Sequence, residues 1–368
     1  MMLEKARRLM TPSARSDVPP FIVMDVIAAA TKIEAAGGRV VHMEVGQPAA
    51  PAPKTAIEAA RAALSGHIGY TESLGIWPLR ERIARHYHEI YGVKISPERV
   101  IATTGSSAGF ILAFLSMFEA GDRVAIASPG YPPYRHILTA LGCEPVLIET
   151  KAETRFAITG DMLRAAHAKK KLSGILVASP ANPTGTMMTP EALADLINVA
   201  EELGVRFISD EIYHGLDYAM PAETAVRLSE NVLVINSFSK YFCMTGWRVG
   251  WIVAPEPLIR PIDRLQGNLA ISVPTLSQIA AAAAFDGREE MDAVKHGYEE
   301  NRRILLEGLP KIGFDKFLPV DGAFYLYADV SKFTDDSFDF ASRMLQEAGV
   351  ATTPGVDFDP EHLSLIHI

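Results

Sequence analysis

The stretch Val232–Lys240 reads VLVINSFSK, a short branched apolar run that leads into a serine-containing loop carrying a lysine. Similar apolar runs occur upstream: RVAIAS at 123–128, GILVAS at 174–179 and VRFIS at 205–209. Stretches with helical character separate them, at 108–119, 134–141 and 190–203. Near-continuous apolar strands that alternate with helices are typical of a mainly parallel sheet with helices on both faces. We therefore expect an α/β fold.

The pattern changes after about Asp286. We predict a long helix at Gly287–Leu309, followed by the segment GAFYLYADV, a helix at Phe338–Ala348 and the segment VATTPG. Apolar residues at helical spacing also predict a helix over Phe21–Ala36, ended by two glycines and followed by a short strand in RVVHMEVGQP. These elements suggest a smaller α+β domain built from both termini. The expected division is a large domain at 46–286 and a small domain at 1–45 and 287–368.

Composition limits the class of protein. The chain has 368 residues, 48% of them hydrophobic, which is sufficient for a large core. A net charge of -9 argues against a general nucleic-acid-binding surface. The start lacks the apolar segment of a secretory signal, and no apolar run is long enough to span a membrane, so we expect a cytoplasmic protein.

The cysteines and histidines suggest neither a disulfide framework nor a metal site. Cys143 and Cys243 are expected to be reduced thiols, since two cysteines do not make a disulfide framework in a chain this long. His86 and His88 are two apart on a predicted helix and therefore point to different faces. We expect no metal.

Polar residues follow three of the predicted strands. Asn182, Asp210 and Lys240 each come at or just after a strand end. Alone, each would usually be a turn residue, a helix cap or a solvated lysine. Since ligands bind beyond the carboxyl ends of parallel strands, the three together predict a ligand site in one crevice.

Five motifs give this chain a family resemblance. They are GYTESLGIWPLR at 69–80, TTGSSAGF at 103–110, SPANPTG at 179–185, SDEIY at 209–213 and SFSKYFCMTGWRVG at 237–250. In this order they resemble the class I/II aminotransferases, enzymes of fold type I that depend on pyridoxal phosphate (PLP). The resemblance covers nearly the whole chain. It implies PLP as the cofactor, with an amino acid and a 2-oxo acid as substrates.

By this resemblance, Lys240 would hold the PLP aldehyde as a Schiff base and, once freed, would move the α-proton of the substrate. Asp210 would pair with the pyridine nitrogen and keep it protonated, so that the ring can accept electrons. Asn182 and Tyr213 would hydrogen-bond the phenolic oxygen of the ring. Lys240, Asp210 and Tyr213 are therefore the candidate catalytic residues.

The resemblance also assigns residues to the phosphate. A helix N-terminus and a bidentate guanidinium suit an anion, and hydroxyl groups add further donors. Without a phosphate, the helix N-terminus would carry an ordinary N-cap and the guanidinium would form a surface ion pair. The candidate phosphate ligands are Gly105, Ser106, Ser107, Ser237 and Arg248, with Ser239 as an additional helper.

Three more residues complete the set that the resemblance implies. Tyr131 would lie against the face of the cofactor, although a tyrosine there could simply be packed in the core. Tyr70 would reach the phosphate of the neighbouring subunit's cofactor, which would make the enzyme a homodimer. Gly46 would bring its backbone, together with Asn182, to the substrate carboxylate; a plain turn glycine is the alternative.

The end of the sequence departs from the family pattern. The family continues past the PGVDF segment to a strand with an arginine that clamps the substrate carboxylate, whereas here no arginine follows Arg343. Leu363–Ile368 resembles a sequencing adapter read in frame, so we expect the C-terminal end to be truncated after about His362; a naturally short tail is the alternative. Such a chain would keep most of the cofactor site but bind amino acids poorly.

The sequence thus predicts a PLP-dependent aminotransferase with a ping-pong cycle. Another fold-type-I reaction, β-elimination or acyl transfer, remains an alternative, because the same lysine and ring serve several outcomes. An inactive fragment that still binds PLP is a further one. A regulator carrying an aminotransferase-like domain would have a DNA-binding module ahead of it, and the resemblance begins near Phe21. The side-chain specificity stays open.

Overall fold

The computed structural model describes residues 10–360 and 365–367. A seven-stranded sheet with the order β2-β8-β7-β6-β5-β3-β4 lies at its centre. Its strands are β2 (Val100–Thr103), β3 (Arg123–Ser128), β4 (Glu144–Glu149), β5 (Gly174–Ala178), β6 (Arg206–Asp210), β7 (Leu233–Ser237) and β8 (Gly250–Val253). Strands β3 to β7 pair in parallel, whereas β8 runs antiparallel to both β2 and β7. The predicted α/β fold with a mainly parallel sheet is confirmed.

Helices cover both faces of this sheet. Adjacent residues of one strand enter different apolar clusters: Phe207 and Val234 belong to one, Ile208 and Ile235 to the other. Because both faces are buried, the strands read as continuous apolar runs. The α-helices between residues 54 and 284 are α2 (Lys54–Ala63), α3 (Trp77–Tyr91), α4 (Gly105–Met117), α5 (Pro132–Ala140), α6 (Gly160–Lys169), α7 (Pro190–Leu203), α8 (Glu256–Leu269) and α9 (Thr275–Ala284).

The remaining elements form smaller sheets and their covering helices. They are α1 (Ile22–Ala35), β1 (Val41–His42), α10 (Arg288–Gly308), β9 (Tyr327–Asp329), α11 (Ser337–Ala348), β10 (Val350–Ala351), β11 (Thr353–Pro354) and β12 (Leu365–His367). Strand β1 pairs in parallel with β10, and β12 lies antiparallel between β11 and β9. A small cluster of Ala30, Leu345 and Ala351 joins α1 to α11 and β10. The domain boundaries at 45/46 and 286/287 stay a proposal.

Two further sequence predictions concern a truncated C-terminal end and the absence of a membrane-spanning segment. His362, after which we expected a truncation, lies outside the described residues, and that expectation stays a prediction. Across the described ranges, we find no helix with both the length and the apolar character needed to cross a bilayer.

Candidate active site

A cavity of about 240 Å³ opens at the carboxyl ends of β5, β6 and β7. Strands β5 and β6 are in register at Ala178 and Asp210, so their ends meet at one edge of the sheet. Many of the residues predicted for the site lie in the cavity wall: Gly46, Ser106, Ser107, Tyr131, Asn182, Tyr213, Ser239, Lys240 and Arg248. The topology thus brings together residues as distant in the sequence as Gly46 and Arg248.

The amine of Lys240 points across this cavity. Its Nζ donates a hydrogen bond to the carbonyl oxygen of Gly46 at 2.5 Å. Burial lowers the pKa of Lys240 to about 8, while the nearby Asp210 carboxylate opposes this shift and Arg248 adds to it. A lysine with a lowered pKa is neutral more often near pH 8 than an exposed one, so its amine can act as a nucleophile.

Asp210 is the last residue of β6, is only 1% exposed, and is bonded to Ile212 and Tyr134, which line the cavity. Its Oδ1 accepts a hydrogen bond from the backbone N–H of Ile212 at 3.1 Å, and its Oδ2 accepts one from the Tyr134 hydroxyl. Burial raises the pKa of Asp210 to about 6, although both hydrogen bonds oppose the shift. A buried carboxylate of this kind is stabilised by a nearby cation.

Tyr213 is hydrogen-bonded to a site residue that the sequence did not predict, Tyr325. Its hydroxyl shares a hydrogen bond of 2.5 Å with the hydroxyl of Tyr325, which comes from the GAFYLYADV segment. A Cβ atom at Gly46 would overlap the Tyr325 hydroxyl, so only glycine fits beneath this ring. Because Tyr213 and Tyr325 are 112 residues apart, no local pattern could have indicated their contact.

An anion cradle forms where α4 begins. Arg248 packs so closely on Gly105 that a Cβ atom there would overlap its guanidinium, and Gly105 has a φ of 72°. No side chain caps the N-terminus of α4, whose free N–H groups and dipole favour an anion. The Ser237 hydroxyl lies beside this turn and donates to the Ser239 hydroxyl at 2.9 Å. The predicted phosphate residues therefore form one positively charged corner.

The side-chain oxygen Oδ1 of Asn182 is buried and has no hydrogen-bond partner among the described residues. A buried polar atom of this kind is costly unless a ligand or water satisfies it. Tyr131 lies in the same wall, where burial raises its pKa to about 12. Together with the anion cradle, these groups suit a planar ligand that carries a phosphate, a ring oxygen and a ring nitrogen.

Gly105, Asp210 and Ser237 do not line the cavity but contact the lining residues Arg248, Ile212 and Ser239, whereas Tyr70 is not part of the lining. It is 83% exposed on the surface of the chain. The predicted role of Tyr70, contact with a neighbouring subunit's cofactor, therefore stays a prediction.

An α/β fold with a buried lysine, a buried aspartate and an anion cradle at its strand ends agrees with the family resemblance of the sequence. The sequence profile of the family described as "Aminotransferase class I and II" matches residues 39–363. The chain belongs to this family and is an aminotransferase, as we predicted.

Among similar proteins, the valine–pyruvate aminotransferase of Mycobacterium tuberculosis is 51% identical over 350 residues, covering 94% of this chain and 90% of that protein. The aspartate aminotransferase of Thermotoga maritima is 31% identical over 347 residues, covering 93% of this chain and 90% of that protein. A crystal structure of an aminotransferase from M. tuberculosis matches with a TM-score of 0.95 and 49% identity, covering 97% of this chain and 94% of that one.

Proposed function

We propose that this aminotransferase binds PLP around Lys240 and exchanges the amino group of a small apolar L-amino acid, with valine as the first candidate, for the oxo group of a 2-oxo acid such as pyruvate. The observation that carries the proposal is the charge of the cavity wall. Its described lysine and arginine residues are Lys240 and Arg248, and both would serve the cofactor. No described cation is then left in the wall to bind a second carboxylate of a substrate.

The residues fit PLP at each of its functional groups. The phosphate would lie in the cradle of Gly105, Ser106, Ser107, Ser237 and Arg248. Asp210 would face the ring nitrogen, and Tyr131 would lie against the ring. The amide nitrogen of Asn182, whose Oδ1 has no partner among the described residues, and the hydroxyl of Tyr213 would donate to the ring oxygen. When bound, PLP supplies an aldehyde that accepts the amino group and a ring that withdraws electrons.

The protein groups would then bind, orient and move protons. The neutral amine of Lys240 would take the proton from the substrate α-carbon and would give it back later in the amino-group exchange. Asp210 would keep a proton on the ring nitrogen, since a cation there stabilises its buried carboxylate. Tyr213 can donate only one proton; if that proton goes to the ring oxygen, Tyr325 donates to Tyr213. The backbone at Gly46 and the side chain of Asn182 would orient the substrate carboxylate.

An apolar rim supports the choice of substrate. Phe21, Val23 and Met24, at the start of α1, line the same cavity. The ring of Phe21 packs edge-on against Tyr131, with centroids 6.0 Å apart, so the rim adjoins the proposed cofactor site. A branched aliphatic side chain would bury apolar surface there. The name of the 51% identical relative from M. tuberculosis points to the same substrate class.

Capture of PLP by the cofactor-free protein is expected to depend on pH. Since only the neutral amine attacks the aldehyde, the rate should rise with pH and level off near the Lys240 pKa of about 8. Stopped-flow absorbance after addition of PLP measures this rate. A rate that still climbs as pH approaches 10.5, the ordinary lysine value, would contradict the lowered pKa.

A half-reaction tests the proposed function. Valine added to the PLP-loaded enzyme is expected to convert the cofactor to its amine form and release one equivalent of 2-oxo acid. Pyruvate should then restore the aldehyde form and yield alanine. Release of pyruvate from an amino acid with a β-leaving group, without the amine form, would instead indicate a lyase. No spectral change with any amino acid would indicate an inactive PLP-binding chain.

We also propose that the enzyme is a homodimer. The exposed apolar residues Ile68, Tyr70, Leu269 and Ile271 lie on segments that are bonded to each other, since Thr275 donates to the Gly69 carbonyl at 2.6 Å. Exposed apolar residues on neighbouring segments are candidates for a subunit contact. Sedimentation of the full chain at micromolar concentration would test this state. The cytoplasmic location stays a prediction from the sequence.

A further inference from the structure

The hydroxyl groups of Tyr213 and Tyr325 share one hydrogen bond but carry two protons. Their oxygens are 2.5 Å apart, and either one could be the donor. The two residues are 3% and 4% exposed, and burial raises the pKa of both phenols above the ordinary tyrosine value. Both hydroxyls therefore stay protonated near neutral pH. One proton lies between the two oxygens, and the other is left for a different acceptor.

Two backbone contacts hold the segment that carries Tyr325. The N–H of Ala323 donates to the carbonyl oxygen of Leu216 at 2.7 Å, three residues after Tyr213. A Cβ atom at Gly185 would overlap the carbonyl oxygen of Tyr325, so the loop at Gly185 lies directly against this segment. Because the backbone is held on both sides, the Tyr325 hydroxyl has a defined position relative to Tyr213.

The cavity determines which of the two hydroxyls donates. Both tyrosines line it, together with Asn182 and Lys240. In the proposed function, Tyr213 donates its proton to the ring oxygen of PLP, so its hydroxyl has no second proton for Tyr325. The bond between the two tyrosines must then run from Tyr325 to Tyr213. A hydroxyl that accepts a hydrogen bond is polarised by it and becomes a stronger donor.

We propose that Tyr325 is a positioning residue, which fixes the direction of the Tyr213 hydroxyl and strengthens its hydrogen bond to the ring oxygen. The inference rests on the proposed function, because it requires PLP bound at Lys240. The same ring oxygen also accepts a hydrogen bond from the protonated Schiff-base nitrogen. A stronger bond from Tyr213 leaves less electron density for that proton, so the nitrogen loses it at a lower pH.

The test is a pH titration of the visible absorbance of the PLP-loaded enzyme, which measures the pKa of the Schiff-base nitrogen without any substrate. Tyr325→Phe keeps the ring, whose centroid is 4.9 Å from that of Phe324, and removes the hydroxyl. We expect it to raise this pKa by at least about 0.3 pH unit, the size of a cooperative effect on one hydrogen bond. Tyr213→Phe removes the whole bond to the ring oxygen and should raise the pKa by about one pH unit.

Tyr327→Phe is the matched control. Tyr327 is also 4% exposed and lies two residues further along the chain, but it lines a different cavity. Its hydroxyl is buried and has no hydrogen-bond partner among the described residues. Removing this hydroxyl should leave the pKa of the Schiff-base nitrogen unchanged. A shift as large as that in Tyr325→Phe would show that any change in this segment moves the pKa, and would overturn the inference.

The double variant Tyr213→Phe/Tyr325→Phe tests whether Tyr325 acts through Tyr213. If it does, the double variant should have the same Schiff-base pKa as Tyr213→Phe alone, because the effects of coupled residues do not add. An equal shift with and without the Tyr213 hydroxyl would instead mean that Tyr325 acts independently of Tyr213. That result, or the absence of any shift in Tyr325→Phe, would overturn the inference.

The titration also separates this inference from the proposed function. If wild type binds PLP but does not convert valine, the proposed substrate class fails, and the titration still decides the role of Tyr325. If wild type gives no visible PLP absorbance, the proposed function fails and the inference fails with it. A normal absorbance with the same pKa in wild type and in Tyr325→Phe refutes the inference alone.

Discussion

Replacing Lys240 by alanine is expected to lower kcat by on the order of 10⁴-fold or more. The substitution removes the only described amine in the cavity wall, and with it both the covalent link to the cofactor and the group that moves the α-proton. The free energy of unfolding should change little, because the loss of the Gly46 hydrogen bond and of the positive charge near Asp210 is offset by removal of a buried amine whose burial is costly.

The visible absorbance of bound PLP and the rate of the valine half-reaction measure this effect. Lys240→Arg is the matched variant: it keeps a cation in the cavity but cannot form the link, so it should be as inactive as alanine. Lys169→Ala, on the exposed face of α6, should retain wild-type activity. A Lys240→Ala enzyme with the wild-type spectrum and more than a few per cent of wild-type turnover would refute the central role of Lys240.

Asp210→Asn is expected to lower kcat by on the order of 10³-fold while leaving the fold intact. The amide has the size of the carboxylate and can still bond the Ile212 N–H and the Tyr134 hydroxyl. It cannot, however, hold a proton on the ring nitrogen through charge. KM should change much less than kcat, since the lost interaction strengthens as the ring accepts electrons.

In the cofactor-free protein, Asp210→Asn should increase the free energy of unfolding even though it lowers kcat. Burial raises the pKa of Asp210 to about 6 from 3.8, so the folded chain binds a proton more tightly than the unfolded chain. The ionised carboxylate therefore destabilises the fold, and stability falls as pH rises from 3.8 to about 6. Near pH 7, Asp210→Asn should raise the free energy of unfolding by on the order of 2 kcal/mol.

Urea unfolding of the cofactor-free protein at pH 7, beside the kinetic assay, tests both parts. Asp335→Asn, at an exposed position in a loop, should affect neither quantity. If Asp210→Asn were both inactive and less stable than wild type, its loss of activity would reflect damage to the fold rather than loss of the ring-nitrogen partner.

Much of the fold could be read from the strands buried on both faces. Strands β5, β6 and β7 alternate between two apolar clusters and therefore appear as uninterrupted apolar runs. Strand β4 was not predicted, because it lies at the sheet edge and is half exposed, with polar residues at both ends. Strands β2 and β8 are only four residues each, too short for a periodic signal.

By itself, the sequence determined the parallel sheet and the grouping of Asn182, Asp210 and Lys240, because neighbouring parallel strands must end at the same edge. Only the tertiary structure decided the Tyr213–Tyr325 pair and the contact of Lys240 with Gly46. The physical reason is the sequence separation over which each kind of information acts. Strand patterns and capping are local, whereas the contacts of Tyr213 and Lys240 join residues 112 and 194 positions apart and depend on how separate elements pack.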